Sequence, residues 1–324
     1  RQALTAREFF LRGKQYVLVD GKVVIVDEFT GRQMDQRKWR QGLHQAIEAK
    51  EGLPLSGPTE TIARLSFQRF FRLFHKLSGM TGTAREAAGE FWQIYRLVVV
   101  AIPTNRPCVR EHWPDRIFAD EAAKWNALAD EVARLHATQR PVLVGTRSVE
   151  ASERLAELLT ARGIQFRLLN AVRHEEEAGI IAGAGDVGRI TIATNMAGRG
   201  TDIVLDHGVD KLGGLHVLAT ERHESGRVDR QLFGRAARQG DPGSAQAFVS
   251  AEDELLHRHL PTFLQRRVAA YAQSGLPGAQ VAVKGAFAQA QSNAQKLAFK
   301  QRLNVLKMDD WLEDALSFAG YEGL

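Results

Sequence analysis

Apolar and polar positions between residues 120 and 250 follow a helical and an extended period in alternation. Residues 121–136 carry apolar side chains every three or four positions after Asp120, which predicts a helix with an aspartate N-cap. Similar spacing predicts further helices over 148–162, 174–182 and 224–238. Between them, short runs rich in β-branched residues predict strands over 141–145, 165–169, 189–194, 214–220 and 245–250. Strands that alternate with helices form right-handed crossovers, so we expect an α/β fold with a parallel sheet flanked by helices.

The first hundred residues contain both helical and extended patterns of apolar residues. Residues 16–27 predict a β-hairpin around Asp20–Gly21, a strong turn signal. Helices are expected over 42–52, 59–77 and 85–95, and a buried strand over 97–102. We interpret the four phenylalanines between 67 and 74 as core rather than as a stacking platform for bases. Pro103 and Pro107 exclude regular structure between them, so a domain boundary is expected there.

The chain beyond residue 252 is predicted to be helical, with one interruption at 274–278. Apolar residues then recur every three or four positions, which predicts one long amphipathic helix. They are Val283, Phe287, Ala290, Ala294 and Leu297. The expected fold is therefore an α/β domain with a small α+β N-terminal part and a helical C-terminal extension.

Composition and charge exclude only a few classes of protein and of site. The 324 residues carry a net charge of +5, which permits anionic partners and selects none. The single cysteine, Cys108, excludes a disulfide framework and a cysteine-rich zinc site. No apolar run approaches the ~20 residues of a membrane-spanning helix. Because the chain begins at Arg1 rather than at methionine, we expect a fragment or a processed product.

The first candidate for a ligand-binding site is the glycine-rich loop that follows the predicted strand at 189–194. The loop holds Gly198, Arg199, Gly200, Thr201 and Asp202. Its glycines allow the backbone to approach a ligand closely. It also follows the end of a predicted parallel strand, which is where α/β sheets bind ligands.

A second candidate is the predicted helix over 224–238. Its polar residues fall at helical offsets that put them on one face. They are Arg227, Arg230, Gln231, Gly234, Arg235 and Arg238. Four arginines on one face repel each other unless an anion or an acid lies opposite, and a triphosphate is the favoured anion. A solvated basic face or a nucleic-acid patch is the alternative.

The phosphate loop of an ATPase is missing from the sequence. The acidic pair Asp27–Glu28 closes an apolar strand, as a Mg²⁺-binding pair does in some ATPases. No Gly-x-x-x-x-Gly-Lys-Thr run accompanies it, so this interpretation is not favoured.

Four motifs in these stretches resemble SecA, the ATP-driven motor of bacterial protein export. The motifs are Ala-Thr-Asn-Met-Ala-Gly-Arg-Gly-Thr-Asp-Ile at 193–203, Gly-Gly-Leu-His-Val at 213–217, Thr-Glu-Arg-His-Glu-Ser at 220–225 and Gly-Arg-x-x-Arg-Gln-Gly-Asp-Pro-Gly-Ser at 234–244. The resemblance implies a RecA-like second motor domain of superfamily 2. It also implies four parts: a remnant of the preprotein cross-linking domain over 1–58, the end of the first nucleotide-binding domain over 59–105, all of the second over 106–252, and a helical scaffold-like region over 253–324.

The resemblance also implies roles for individual residues. Arg235 and Arg238 become candidate arginine fingers, and Arg199 a bridge between domains. The implied nucleotide-binding residues are Gly198, Arg199, Gly200, Thr201, Asp202 and Gln231. The hydroxyl-rich loop with Gly79, Thr81, Gly82 and Thr83 becomes a coupling motif. A turn or helix cap is the alternative role for Asp202.

ATP and Mg²⁺ are the implied cofactors, bound mainly by a first motor half that this chain lacks. The implied partners are a preprotein, the membrane translocon channel and an anionic lipid surface, and the resemblance also allows for a homodimer. The implied location is the cytoplasmic face of the cell membrane. Because no phosphate loop is present, we expect the chain alone not to hydrolyse ATP.

The sequence departs from the family pattern at five positions. Gly226 and Phe233 stand where the family has arginine, Arg230 where it has asparagine, Ala237 where it has glycine, and Val172 where it has lysine. Two other function classes therefore stay open. One is a fragment of a superfamily 2 nucleic-acid helicase, and the other is a catalytically silent SecA-like adaptor.

Overall fold

The expected parallel sheet forms the centre of the computed structural model, which describes residues 1–27, 33–57, 65–169, 177–194, 200–274 and 278–318. The strands are β1 Tyr16–Val19, β2 Lys22–Val26, β3 Gln33–Met34, β4 Glu111–His112, β5 Arg116–Phe118, β6 Val142–Thr146, β7 Arg167–Leu169, β8 Ile190–Thr194, β9 Leu215–Ala219 and β10 Gly243–Ser250. The helices are α1 Gln2–Phe9, α2 Leu43–Lys50, α3 Phe67–Arg72, α4 Ala88–Tyr95, α5 Glu121–Ala137, α6 Val149–Ala161, α7 Glu177–Ala182, α8 Gly226–Phe233, α9 Glu254–His259, α10 Thr262–Ser274 and α11 Ala279–Phe318.

The central sheet has the strand order β4-β10-β9-β6-β8-β7, and β5 also pairs with β10. Its described strand pairs all run parallel. On one face, α5 and α6 bury an apolar cluster that includes Leu128 and Leu155. On the other, α7 to α11 bury a second cluster that includes Phe233 and Phe287. The prediction of a parallel sheet flanked by helices, with a helical C-terminal region, is thus confirmed.

Local signals account for several element boundaries. The Asp120 side chain accepts a hydrogen bond of 2.7 Å from the Ala123 amide and so begins α5 as predicted. Ser148 caps α6 in the same way. The antiparallel pair β1–β2 turns at Asp20–Gly21, where both residues have positive φ. That geometry belongs to a two-residue hairpin turn, so the hairpin prediction is confirmed.

The prediction of a buried strand over 97–102 is wrong. Residues 96–110 contain no strand, and the side chains of Val98, Val100 and Ile102 are 73%, 75% and 83% exposed. A strand needs a neighbouring strand for its backbone hydrogen bonds, and none lies beside this segment in the described chain. The continuous apolar run over 97–102 alone therefore does not produce the element.

The predicted helix over 59–77 is shorter than expected. Residues 58–64 lie outside the described residues, and α3 ends at Arg72. The interpretation of the phenylalanines as core is also wrong. Phe67, Phe70, Phe71 and Phe74 are 68%, 42%, 39% and 51% exposed, and their rings contact one another.

The C-terminal region has a second interruption in addition to the predicted one. Besides the break before α11, the chain breaks between α9 and α10 at Leu260–Pro261. Proline has no amide hydrogen and fits the start of a helix better than its interior, which explains the break. In α11, Val283, Phe287, Ala290 and Ala294 are buried as predicted, whereas Leu297 is half exposed. Among the described residues, none of the helices is apolar enough over a sufficient length to span a membrane.

Candidate functional site

The first half of the site follows the carboxyl end of β8. This strand is buried along its whole length between β6 and β7, so its last residue, Thr194, lies in the sheet interior. Residues 195–199, including the predicted site residues Gly198 and Arg199, lie outside the described residues. The chain is described again from Gly200, and the buried Ile203 anchors it to the core beneath the sheet. Thr201 and Asp202 are thereby held close to the sheet.

The second half of the site is α8 and the turn that follows it. The prediction that this helix continues to Arg238 is wrong, because α8 ends at Phe233. Two later residues, Ala237 and Gln239, have φ values of +52° and +57°, which no right-handed helix contains. The reason is close packing against β10, where a Cβ atom on Gly243 would lie 2.6 Å from the Ala237 amide nitrogen.

Residues 234–240, called the arginine turn below, carry both predicted finger residues. Arg235 Nη1 donates a hydrogen bond of 3.2 Å to the Thr201 carbonyl oxygen. Arg238 Nη1 donates to the same oxygen at 3.4 Å and to Asp202 Oδ1 at 2.7 Å. The structure therefore brings Thr201, Asp202, Arg235 and Arg238 together at one edge of the sheet. The described residues 200–202 of the glycine-rich loop thus lie beside both arginines, which project from a turn rather than from a helix.

The charge of Asp202 is stabilised in this arrangement. The hydrogen bond and positive charge of Arg238 lower the pKa of the Asp202 carboxyl, mainly through the hydrogen bond. The Ile203 amide also donates to Asp202 Oδ1 at 3.1 Å. Asp202 thus combines a local turn contact with an ion pair. Because its folded pKa is lowered, its contribution to stability is present at neutral pH and is lost as the pH falls through that pKa.

The remaining predicted residues contact a different part of the chain. Gln231 on α8 donates from Nε2 to Thr83 Oγ1 at 3.1 Å. Thr83 is buried and its amide donates to Thr81 Oγ1 at 3.3 Å, whereas Thr81, Gly79 and Gly82 are exposed. Arg230, one turn from Phe233, forms an ion pair with Glu86. The predicted coupling loop therefore lies against α8 through Thr83 and the residues that follow it.

Acidic residues lie opposite two of the four arginines, as the sequence pattern requires. Glu86 pairs with Arg230 and Asp202 pairs with Arg238. Arg227 is exposed on α8. The spacing alone could not distinguish protein acids from a bound anion as the partners of these side chains. Within the described residues, the structure shows protein acids beside Arg230 and Arg238.

Sequence reasoning missed a buried polar network beneath α8. Asp229 is 3% exposed and accepts hydrogen bonds from the His223 amide at 2.9 Å and from Gln291 Nε2 at 2.7 Å. Gln291 also donates to the His223 carbonyl oxygen, so α11 contacts the start of α8 directly. An aspartate on the apolar side of a predicted helix was the available signal.

The described residues contain no metal-ligand group. No set of three or more histidine, cysteine, aspartate or glutamate side chains among them lies close enough to hold a metal ion. Asp27 is described, but its neighbour Glu28 lies outside the described residues. Asp202 already pairs with Arg238. At the arginine turn the described part of the chain offers guanidinium groups, which are donors suited to phosphate oxygens.

Comparison with protein families and relatives agrees with the motifs. Residues 1–48 match the SecA preprotein cross-linking domain, and residues 107–211 and 206–272 match the SecA P-loop domain. The protein translocase subunit SecA 2 of Chlorobium chlorochromatii is 51% identical over 318 residues, which are 98% of this chain and 48% of the relative. The SecA subunit of Oleidesulfovibrio alaskensis is 50% identical over 314 residues, which are 95% of this chain and 36% of the relative. The chain thus spans half or less of these relatives.

Among solved structures, the yeast DEAD-box splicing factor Prp28 aligns at 20% sequence identity. The alignment covers 64% of this chain and 44% of Prp28, with a TM-score of 0.39. A likeness of this size adds nothing to the assignment.

Proposed function

This chain belongs to the SecA family, and we propose that it supplies the second motor domain of a SecA-type protein-translocating ATPase. The observation that carries the proposal is the convergence of Arg235 and Arg238 on Thr201 and Asp202 at one edge of the sheet. In the proposed role, the two guanidinium groups contact the γ-phosphate of ATP, and the rest of the nucleotide is held by a phosphate loop outside this chain.

The chemistry of the arginine turn supports a phosphate ligand. A guanidinium group presents several N–H donors in a plane and pairs with phosphate oxygens in a forked geometry. The Arg238–Asp202 pair has side chains 30% and 49% exposed, so it is accessible to an incoming anion. We propose that phosphate takes the place of Asp202 beside Arg238, while the Thr201 carbonyl keeps both guanidinium groups oriented. Gly198, Arg199 and Gly200 complete the proposed nucleotide-contacting loop.

The contacts of α8 support a coupling role. Gln231 contacts Thr83 and Arg230 contacts Glu86, so α8 joins the segment that carries Thr83 and Glu86 to the arginine turn. We propose that movement of α8 caused by nucleotide passes to the loop at 79–83 through these two contacts. The division of the chain into parts at 58, 105 and 252 belongs to the same proposal.

The partners proposed for the full-length protein follow from its family. They are a preprotein, the membrane translocon channel and an anionic lipid surface, at the cytoplasmic side of the membrane. Mg²⁺ and the β-phosphate are proposed to be held by the other motor half. A nucleic-acid helicase and a silent adaptor are the competing functions.

ATP hydrolysis by a full-length SecA that contains this chain distinguishes the three functions. We expect stimulation by an unfolded preprotein together with vesicles of anionic lipid. Stimulation by single-stranded RNA instead would support the helicase function. Hydrolysis that neither addition raises above that of a buffer control would support the adaptor.

The purified 324-residue chain is expected to show no Mg²⁺-dependent ATP hydrolysis. The sequence contains no Gly-x-x-x-x-Gly-Lys-Thr run, the motif whose backbone amides cradle the β-phosphate in such ATPases. Release of phosphate should therefore equal that of an Arg235→Ala preparation of the same chain. A measurable rate that Arg235→Ala abolishes would contradict this expectation.

A further inference from the structure

We propose that Arg106 and Arg110 are positioning residues for Arg235 and Arg238. They lie in residues 103–110, called the linker below, which connect the segment that carries Thr83 to β4. The inference rests on the function proposed above, because it concerns how the phosphate-contacting arginines are aimed. Neither Arg106 nor Arg110 is proposed to touch the nucleotide.

The arginine turn needs external support. Ala237 and Gln239 both adopt left-handed backbone conformations, in which the Cβ atom crowds the following carbonyl. Conformations of this kind persist only where the surrounding structure fixes them. Part of that support is the Asp241 amide, which donates to the Arg238 carbonyl oxygen at 2.8 Å.

The linker supplies further support from outside the turn. Arg110 Nε donates a hydrogen bond of 3.1 Å to the Ala236 carbonyl oxygen. Arg106 Nη1 donates one of 3.2 Å to the Gln239 carbonyl oxygen. The Arg106 side chain also lies against Gly240, where an added Cβ atom would be 3.0 Å from Arg106 Cδ.

These contacts have a geometric consequence. The two carbonyl groups lie on either side of Arg238, and the first directly follows Arg235. Holding both carbonyls therefore fixes the backbone from which the two proposed phosphate-contacting side chains project. Because two charge-assisted hydrogen bonds join the linker to this backbone, a movement of the linker can move the arginine turn without moving the sheet. The linker is thus a second route, besides α8, from the segment at 79–95 to the arginine turn.

The test uses the full-length protein with Arg106→Gln, Arg110→Gln and the double variant. We expect the double variant to lower kcat for ATP by about tenfold, since a small misplacement of a catalytic group has effects of that size or larger. Its dissociation constant for ATP should change less than about twofold, because the arginines act on charge that develops in the transition state. Arg110→Lys keeps a cationic donor and should recover part of kcat. Arg134→Gln, which removes a half-exposed arginine outside the arginine turn, is the matched control.

A second measurement separates positioning from general loss of structure. In an Arg235→Ala/Arg238→Ala background, the linker variants should lower kcat no further, because the side chains that they position are gone. Arg106 is exposed, so its replacement removes no buried group. Unchanged kcat in Arg106→Gln and in the double variant would overturn the inference. An equal loss in both backgrounds would overturn it as well. Unchanged turnover in Arg235→Ala/Arg238→Ala would contradict the proposed function itself. A loss of turnover in that variant, with no effect of the linker variants, would contradict only the positioning role of Arg106 and Arg110.

Discussion

Replacing Lys124 by methionine is expected to lower the free energy of unfolding by about 3–5 kcal/mol, because it leaves a buried carboxylate without its cation. Lys124 on α5 donates to Asp253 Oδ1 at 2.6 Å, and the two side chains are only 3% and 1% exposed. Asp253 Oδ2 also accepts from the Ser250 amide at 3.0 Å, at the end of β10. The pair therefore fastens α5 to the junction between the sheet and α9. Urea denaturation of the 324-residue chain measures the loss.

The effect of Lys124→Met should grow with pH. Burial raises the pKa of the Asp253 carboxyl to about 7, while the charge of Lys124 lowers it. An acid whose pKa is raised by folding contributes most below its unfolded pKa of about 3.9 and loses that contribution as the pH rises. Removing Lys124 raises the pKa further, so the carboxyl keeps its proton to a higher pH in the variant. The difference from the unaltered chain should therefore widen as the pH rises above about 7.

The control lies on the same helix. Glu121 pairs with Arg154 at 3.1 Å, and the two side chains are 43% and 44% exposed, so Glu121→Gln should have an effect of about 1 kcal/mol or less. Lys124→Met/Asp253→Asn should be less destabilised than the sum of its single variants, since it leaves no charge stranded. Additive losses that do not vary with pH would contradict a buried, coupled pair.

Much of the central domain could be predicted from the sequence because its signals are local. Asp120 and Ser148 cap their helices by contacts to residues three positions away. The β-branched runs mark their strands by their own composition, and the neighbouring strands that they need are present, as in the pairing of β6 with β8. A wrongly predicted element shows that such a signal is not sufficient without a partner. The segment at 97–102 is a continuous apolar run, but it pairs with no strand in the described chain.

The site was predictable in its members and not in its geometry. The motifs identify Asp202, Arg235 and Arg238, and these residues do lie at one edge. Periodicity extended the helix through the arginine turn because Arg230, Gly234 and Arg238 keep helical spacing. The signal for an earlier end was the glycine that the family pattern has at position 237, where this chain has alanine with φ of +52°.

The contacts that hold the site could not be predicted from spacing. Glu86, Arg106 and Arg110 reach α8 or the arginine turn from more than 100 residues away in the chain. Each is an ordinary charged residue in a segment that has no pattern of its own pointing to the site. Only the folded arrangement identifies which acid faces which arginine, and which backbone carbonyls the linker holds.

In a full-length SecA that contains this chain, Arg235→Ala and Arg238→Ala are each expected to lower ATP turnover by at least about tenfold. A loss of about tenfold is small for an arginine finger, which contributes a factor of about 10³–10⁵ to the rate of phosphoryl transfer. Both side chains project from one turn towards the Thr201 carbonyl, so both can be directed at the same phosphate. A finger stabilises charge that develops in the transition state, so kcat should fall more than the affinity for ATP. Steady-state kinetics together with equilibrium nucleotide binding separates the two quantities.

Two further substitutions decide between a finger and a general basic surface. Arg235→Lys and Arg238→Lys should restore little activity, because an ammonium group lacks the planar fork of guanidinium. Arg227, exposed on α8 ahead of the arginine turn, is the matched control. Arg227→Ala should change turnover much less than Arg235→Ala, since Arg227 lies two helical turns from the proposed phosphate contact. If Arg227→Ala is as damaging as Arg235→Ala, then α8 and the arginine turn act as one basic platform, and the finger assignment must be abandoned.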